Sequence, residues 1–299
     1  VIKTLFVMVI SFALYSSQSA CSELADLSVF NEHYPKAIYF RNVENSAANT
    51  AISYEKWAKR WSKLDGMVVK ALDEEIPGRS GEAQKKFIQY KKDNPEKLML
   101  LHFNGNARDP NFDLTAFYPE DWTYFVGTYS ADVISENDSD ITVRDASVFR
   151  TLDDIAIVPV DLKGNLDWKN AEQAKLTAVS GKNKLTVKRG LFNTKIKTYA
   201  KGRAYLAAHV SQPAIAPGSD QALWRYNFTN ITPQGGMPIR LTHNLMEYLG
   251  SDKSLSNFDG VEFDVLADIR GLKHPSRKTP IDYNYDGKAS KLDVDHQQK

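Results

Sequence analysis

The stretch Phe258-Asp259-Gly260-Val261-Glu262-Phe263-Asp264-Val265-Leu266 decides how this chain is read. It is apolar and β-prone except for two acids, Glu262 and Asp264, placed two residues apart. Successive side chains of a strand alternate between faces, so both carboxylates point the same way. An acid inside a buried strand is costly unless it is paired, ligates a metal or does chemistry. A second acidic signal follows: Asp282-Tyr-Asn284-Tyr-Asp286-Gly287-Lys288-Ala-Ser290-Lys-Leu-Asp293. Oxygen-bearing side chains stand at its positions 1, 3, 5, 9 and 12 and glycine at 6, the spacing of an EF-hand calcium loop. The expectation is a structural Ca2+ held by Asp282, Asn284, Asp286, the Lys288 carbonyl and Asp293. The plainer alternative is an Asp/Asn-rich turn that binds nothing.

Working outward, the first third alternates strands and helices. Residues 36–40 read as a strand with Arg41 at its carboxyl end. Residues 54–64 read as a helix with Trp57, Trp61 and Leu64 on one face. A second strand at 67–72 runs into Asp73, Glu74 and Glu75, a second helix covers 81–92, and a third strand at 97–103 carries His102 and precedes Asn104. This rhythm predicts a parallel sheet with its polar groups at the strands' carboxyl ends, where sites assemble. The rhythm breaks between 108 and 210. Short β-like runs replace it, with a possible helix only near Ala171, which predicts an all-β module inserted after strand three. Past residue 218 come a strand-like run at 222–227, a helix at 240–249 and then the Glu262/Asp264 strand.

Composition bounds the rest. The 299 residues are 42% hydrophobic and 25% charged, which suits a globular chain with a sizeable core. A formal net charge of +1 gives no argument for nucleic acid or an anionic membrane as partner. Residues 1–21 have the layout of a signal peptide: Lys3, an apolar run over 5–15 and small residues from Ser16 to Ala20. The expected location is secreted, periplasmic or at the cell surface. Cys21, the single cysteine, excludes an intramolecular disulfide framework and leaves membrane attachment open only through a lipid anchor. Six histidines without a His-x-x-x-His spacing argue against a histidine-built metal hydrolase.

Two resemblances attach to these residues. Asp259-Gly260-Val261-Glu262-Phe263-Asp264, with the helix before it and the Asp-x-Asn-x-Asp-Gly loop after it, resembles glycoside-hydrolase-like TIM-barrel proteins secreted by bacteria. That resemblance implies a TIM-barrel-type (β/α) frame over 22–110 and 218–299 and a carbohydrate polymer as substrate. It also implies a carboxylate at the end of strand four; the expected chemistry is acid/base hydrolysis of a glycosidic bond with Glu262 and Asp264 catalytic, the plainer alternative for both being a salt bridge or calcium ligation. Arg41, His102, Asn104 and Trp224 are the candidate sugar-binding groups, with Tyr226 beside Trp224; each also has an ordinary core or ion-pair reading. About four βα units are countable where a full barrel needs eight, so the frame is expected to be incomplete. The run Leu185-Thr-Val-Lys-Arg189-Gly190, with Asn193-Thr194 and Ala200-Lys-Gly202 after it, resembles a repeat of phage-tail and cell-surface β modules. That implies a display role for 111–217. The rival function is accordingly non-catalytic carbohydrate binding or surface attachment.

Overall fold

The computed structural model describes residues 36–41, 43–71, 81–105, 107–108, 110, 119–212, 223–229, 236–264 and 279–289. The signal segment with Cys21, the acids Asp73, Glu74 and Glu75, and the loop residues Ser290 and Asp293 lie outside them. Among the described residues no helix is long and apolar enough to cross a membrane.

The chain runs β1 (Ile38–Phe40), α1 (Val43–Ala48), α2 (Tyr54–Trp61), β2 (Gly66–Val69), α3 (Glu82–Asp93), β3 (Leu98–Asn104) and β4 (Ala107–Arg108). Then follow β5 (Tyr124–Phe125), β6 (Thr128–Tyr129), β7 (Asp140–Thr142), β8 (Asp154–Pro159), β9 (Glu172–Ser180), β10 (Lys184–Leu191), β11 (Ala204–Ala208) and β12 (Ser211–Gln212). The last elements are β13 (Leu223–Arg225), α4 (Gly236–Leu249), β14 (Gly260–Asp264) and β15 (Ile281–Asp282).

The protein is a mixed α/β structure. Its four-stranded sheet has the order β1-β2-β3-β14, and every pair in it is parallel. One face carries Met67, Val69, Met99, Leu101 and Phe103, all buried in one cluster with Trp57, Phe87, Tyr90, Met237, Leu241 and Leu245 from the helices. The helices are shaped for this. Ser53 caps α2 by accepting from the Lys56 N–H, and Trp57 and Trp61 lie one turn apart. Ala83, Phe87 and Tyr90 recur at helical spacing along α3, and the Asn94 N–H closes its last turn on the Tyr90 carbonyl. On the opposite face Ile38 and Phe40 of the edge strand are 46% and 50% exposed, whereas Val68 and His102 are buried.

The inserted region forms a six-stranded antiparallel sheet, β6-β11-β8-β9-β10-β7. Its two edge strands meet through a Ser130–Val143 bridge, with Ala131 N–H donating to the Thr142 carbonyl and Arg144 N–H to that of Tyr129. The sheet therefore curls around its own apolar interior, which includes Ile155, Ile157, Leu176, Leu185 and Leu206. Its outward residues Ala156, Val158, Tyr205 and Ala207 belong to the same cluster as the helices and the parallel sheet. No helix forms at Ala171. A single 3-10 turn, Trp168–Asn170, precedes it, and β9 begins at Glu172. The region is joined to the parallel sheet through a small β12-β13-β4 sheet.

Candidate active site

The parallel register assembles one cluster on the face opposite the helices. Glu262 lies opposite His102 and Asp264 opposite Asn104. Val69 lies opposite Leu101, so Lys70, the next residue, comes beside His102 on the same face. Lys70, His102 and Glu262 thus form one row across three adjacent strands. Arg41 leaves β1 in a left-handed conformation, φ 62°, and its guanidinium donates to the Asp264 carboxylate. In a flat sheet β1 and β14 would be three strand spacings apart, roughly 14 Å. An extended arginine and aspartate with the hydrogen bond between them span roughly 13–14 Å between Cα atoms, and the register sets Arg41 level with Val261, three residues or roughly 10 Å along the strand from Asp264. The ion pair therefore requires the sheet to curl, with these residues inside the curve.

The His102 ring is 2% exposed and lies under both acids. Its Nδ1 is 3.7 Å from Glu262 Oε2 and its Nε2 is 3.7 Å from Asp264 Oδ2, both too long for hydrogen bonds. Burial above all, helped by the positive charges of Lys70 and Arg41 and opposed by Asp264, pushes its pKa down to about 4. The imidazole is therefore neutral at pH 7. Glu262 is pushed the other way: burial first, then the charge of Asp264, raise its carboxyl pKa, with Arg41 in opposition. The two acids of β14 consequently sit in unlike surroundings. One is biased toward its protonated form, and the other is ion-paired. The Phe40 ring lies 6.1 Å from the His102 ring and 5.7 Å from the Arg41 guanidinium, and it forms an open apolar wall to the cluster.

The structure thus brings together Arg41, His102, Glu262 and Asp264. Asn104 is in register with them, but its Oδ1 accepts from Ala107 N–H at 3.2 Å and shapes the turn into β4. Trp224 is a correction. It is 1% exposed, stacks on His209 with ring centroids 3.5 Å apart, and donates Nε1–H to Asp154 at 2.8 Å, so it cannot serve as a sugar platform. Tyr226 is likewise buried, stacked on Trp122. Two residues of the site escape the sequence reading. Lys70 looks like a strand end. Phe40 looks like core, although its place in the alternation with Val68 and Leu100 puts it on the site face.

The loop after β15 is built into a different place. β15 pairs with β5, Trp168 donates to the Tyr285 carbonyl at 2.9 Å, and the Tyr285 hydroxyl donates to the Trp122 carbonyl at 2.6 Å. It fastens onto the β-rich region. Its turn is closed by the Gly287 N–H donating to Asp282 Oδ2 at 2.9 Å and the Lys288 N–H donating to Asp286 Oδ1 at 2.8 Å. Among the described residues no three acid, histidine or cysteine side chains converge on a metal position. Asp282, Asn284, Asp286 and the Lys288 carbonyl lie on one short arc. Asp293, the expected closing ligand, is outside the described residues.

No family model matches this sequence, and no curated protein does. Among solved structures, the pyruvate kinase of Pyrobaculum aerophilum is similar over 62% of this chain and 37% of that one, at 10% identity and a TM-score of 0.19. So slight a similarity bears on neither fold family nor activity.

Proposed function

We propose that the protein acts on carbohydrate as a glycoside-hydrolase-like enzyme, with Glu262 as general acid and Asp264 as its ion-paired companion. The observation that carries this reading is the pair of same-face carboxyls in unlike surroundings over a neutral His102: burial raises the pKa of Glu262, and Asp264 is ion-paired to Arg41. Acid/base cleavage of a glycosidic bond needs one carboxyl that keeps its proton and one that does not. Arg41 pairs with Asp264, the neutral His102 packs beneath both acids, and Phe40 gives an apolar surface against which a sugar ring can lie. Glu262→Gln is expected to lower turnover by about 10²–10⁴-fold on a cleaved polysaccharide while leaving binding in place. Because Glu262 works in its acid form, wild-type activity falls as pH rises through its elevated pKa, and that alkaline limb should vanish in the variant. If no glycan in a reducing-end screen is cleaved, yet wild type and Glu262→Gln bind one equally, the attachment reading replaces the catalytic one.

We further infer that the parallel sheet is part of a TIM-barrel-type frame comprising about four βα units. Three features support this: sequential strand order, the described helices packed on one face, and the curl demanded by the Arg41–Asp264 contact. Doubly wound sheets reverse their strand order and cover both faces, whereas barrels do neither.

The loop at 282–293 is proposed as a lone structural calcium site that braces the β-rich region. Asp282, Asn284, Asp286 and the Lys288 carbonyl would supply its first oxygens. Calcium at about a hundredfold over its dissociation constant should then add about 2.7 kcal/mol of stability. Thermal unfolding with calcium and with chelator reads this directly. An unchanged midpoint in wild type, or a calcium shift that survives Asp286→Ala, would leave the loop a plain turn.

A further inference from the structure

The row across β2, β3 and β14 contains one group that the proposed chemistry does not use. Lys70 is half-buried, sits beside His102 on the same face, and is close enough to help hold that ring neutral. Among the described residues it makes no hydrogen bond and no ion pair. Arg41 is already engaged by Asp264, and His102 is uncharged. Among the described residues Lys70 is therefore a cation on this face with no counter-ion in contact. A partly desolvated ammonium is costly without a counter-ion. It also lies two strand spacings from Glu262, roughly 10 Å, which leaves room for a sugar ring between them.

We propose that the site takes a saccharide bearing an anionic substituent, and that Lys70 is its counter-ion. This rests on the carbohydrate reading above and narrows it to acidic glycans. Lys70 binds the anionic group, Phe40 lies against the apolar side of the ring, and the Arg41–Asp264 pair holds the opposite end. The anion is a uronic acid carboxylate or a sulfate ester; both present oxygens that an ammonium accommodates. Arg41 cannot take this task without releasing Asp264.

The test is titration calorimetry of the full chain, in low salt, with three probes: a uronic acid oligosaccharide, its carboxyl-reduced neutral counterpart, and a sulfated form of that neutral chain. Tighter binding of at least one anionic form, by roughly tenfold or more, is expected from a charge-assisted contact. Lys70→Met should remove that preference, and Lys70→Arg should keep most of it. A melting curve of each variant confirms that it folds. Which anionic probe wins identifies the source of the charge. Equal affinity for neutral and anionic forms would overturn the inference and leave the carbohydrate reading standing, as would a preference that survives Lys70→Met. If none of the three saccharides binds, the carbohydrate reading itself falls and takes this inference with it.

Discussion

Lys91→Met is expected to cost about 3–5 kcal/mol of folding stability, because it strands a buried carboxylate. Lys91 and Asp259 form an ion pair at 2.8 Å with both side chains 6% exposed. The ammonium also donates to the carbonyls of Pro95 and Lys97, each at 2.8 Å. Asp259 accepts in addition from Met99 N–H at 2.7 Å, and the Asp259 N–H returns a bond to the Met99 carbonyl. The lysine of α3, the loop after that helix, β3 and the start of β14 are thus joined at one point. Removing the ammonium leaves two carbonyls and one carboxylate without it. Denaturant unfolding of the variant should show a lower midpoint with little change in slope. Lys91→Met combined with Asp259→Leu should recover part of the loss, because an apolar pair of similar volume carries no stranded charge. A single variant within about 0.5 kcal/mol of wild type would mean that the pair is solvated in solution.

The consequence reaches the site. Asp259 fixes where β14 begins against β3, and therefore sets the Glu262–His102 and Asp264–Asn104 pairings. Gly260 follows at φ 155°, a conformation that favours glycine, so the Asp-Gly step is a register device. A slip by one residue would send both acids to the helix-covered face. In sequence this step resembles part of a catalytic signature; in the fold its first acid does structural work.

What is legible in the sequence follows from how local each signal is. All four parallel strands are short apolar runs ending in polar residues, and their sequential pairing follows from the helices between them. The shared face of Glu262 and Asp264 needs only the alternation of a strand. β9 is different. Glu172-Gln-Ala-Lys is helix-prone by composition, and a strand forms there because β8 and β10 pair with both its edges. Trp224 fails as a platform for a similar reason. Asp154, Phe192 and His209, which enclose it, lie between 15 and 70 residues away in the chain, and no local pattern announces them. Lys70 becomes part of the site only once β2 is laid beside β3.

Arg189→Met should destabilise the β-rich region by a comparable amount, about 3–5 kcal/mol. The Arg189 guanidinium grips Glu172 with two bonds, Nε to Oε1 at 2.8 Å and Nη2 to Oε2 at 2.6 Å, where the side chains are 4% and 0% exposed. The same group donates to the Lys197 carbonyl, while Glu172 also accepts from the N–H groups of Gly190 and Lys197. This network holds the crossing from β10 toward β11. Gly190 completes it at φ 62°, where an added Cβ would lie 2.7 Å from Ile196. The Arg-Gly step of the phage-tail-like repeat therefore has a structural account that requires no ligand. Arg189→Lys should rescue little, since an ammonium cannot reproduce the two-pronged contact. Glu172→Gln in the Arg189→Met background should recover stability by removing the stranded charge, though the amide keeps its polar cost. Amide hydrogen exchange locates the effect: β9 and β10 should lose protection in Arg189→Met while the parallel sheet keeps its own. Equal loss in both sheets would mean that the shared cluster of Val158, Tyr205 and Trp57 makes them unfold as one unit.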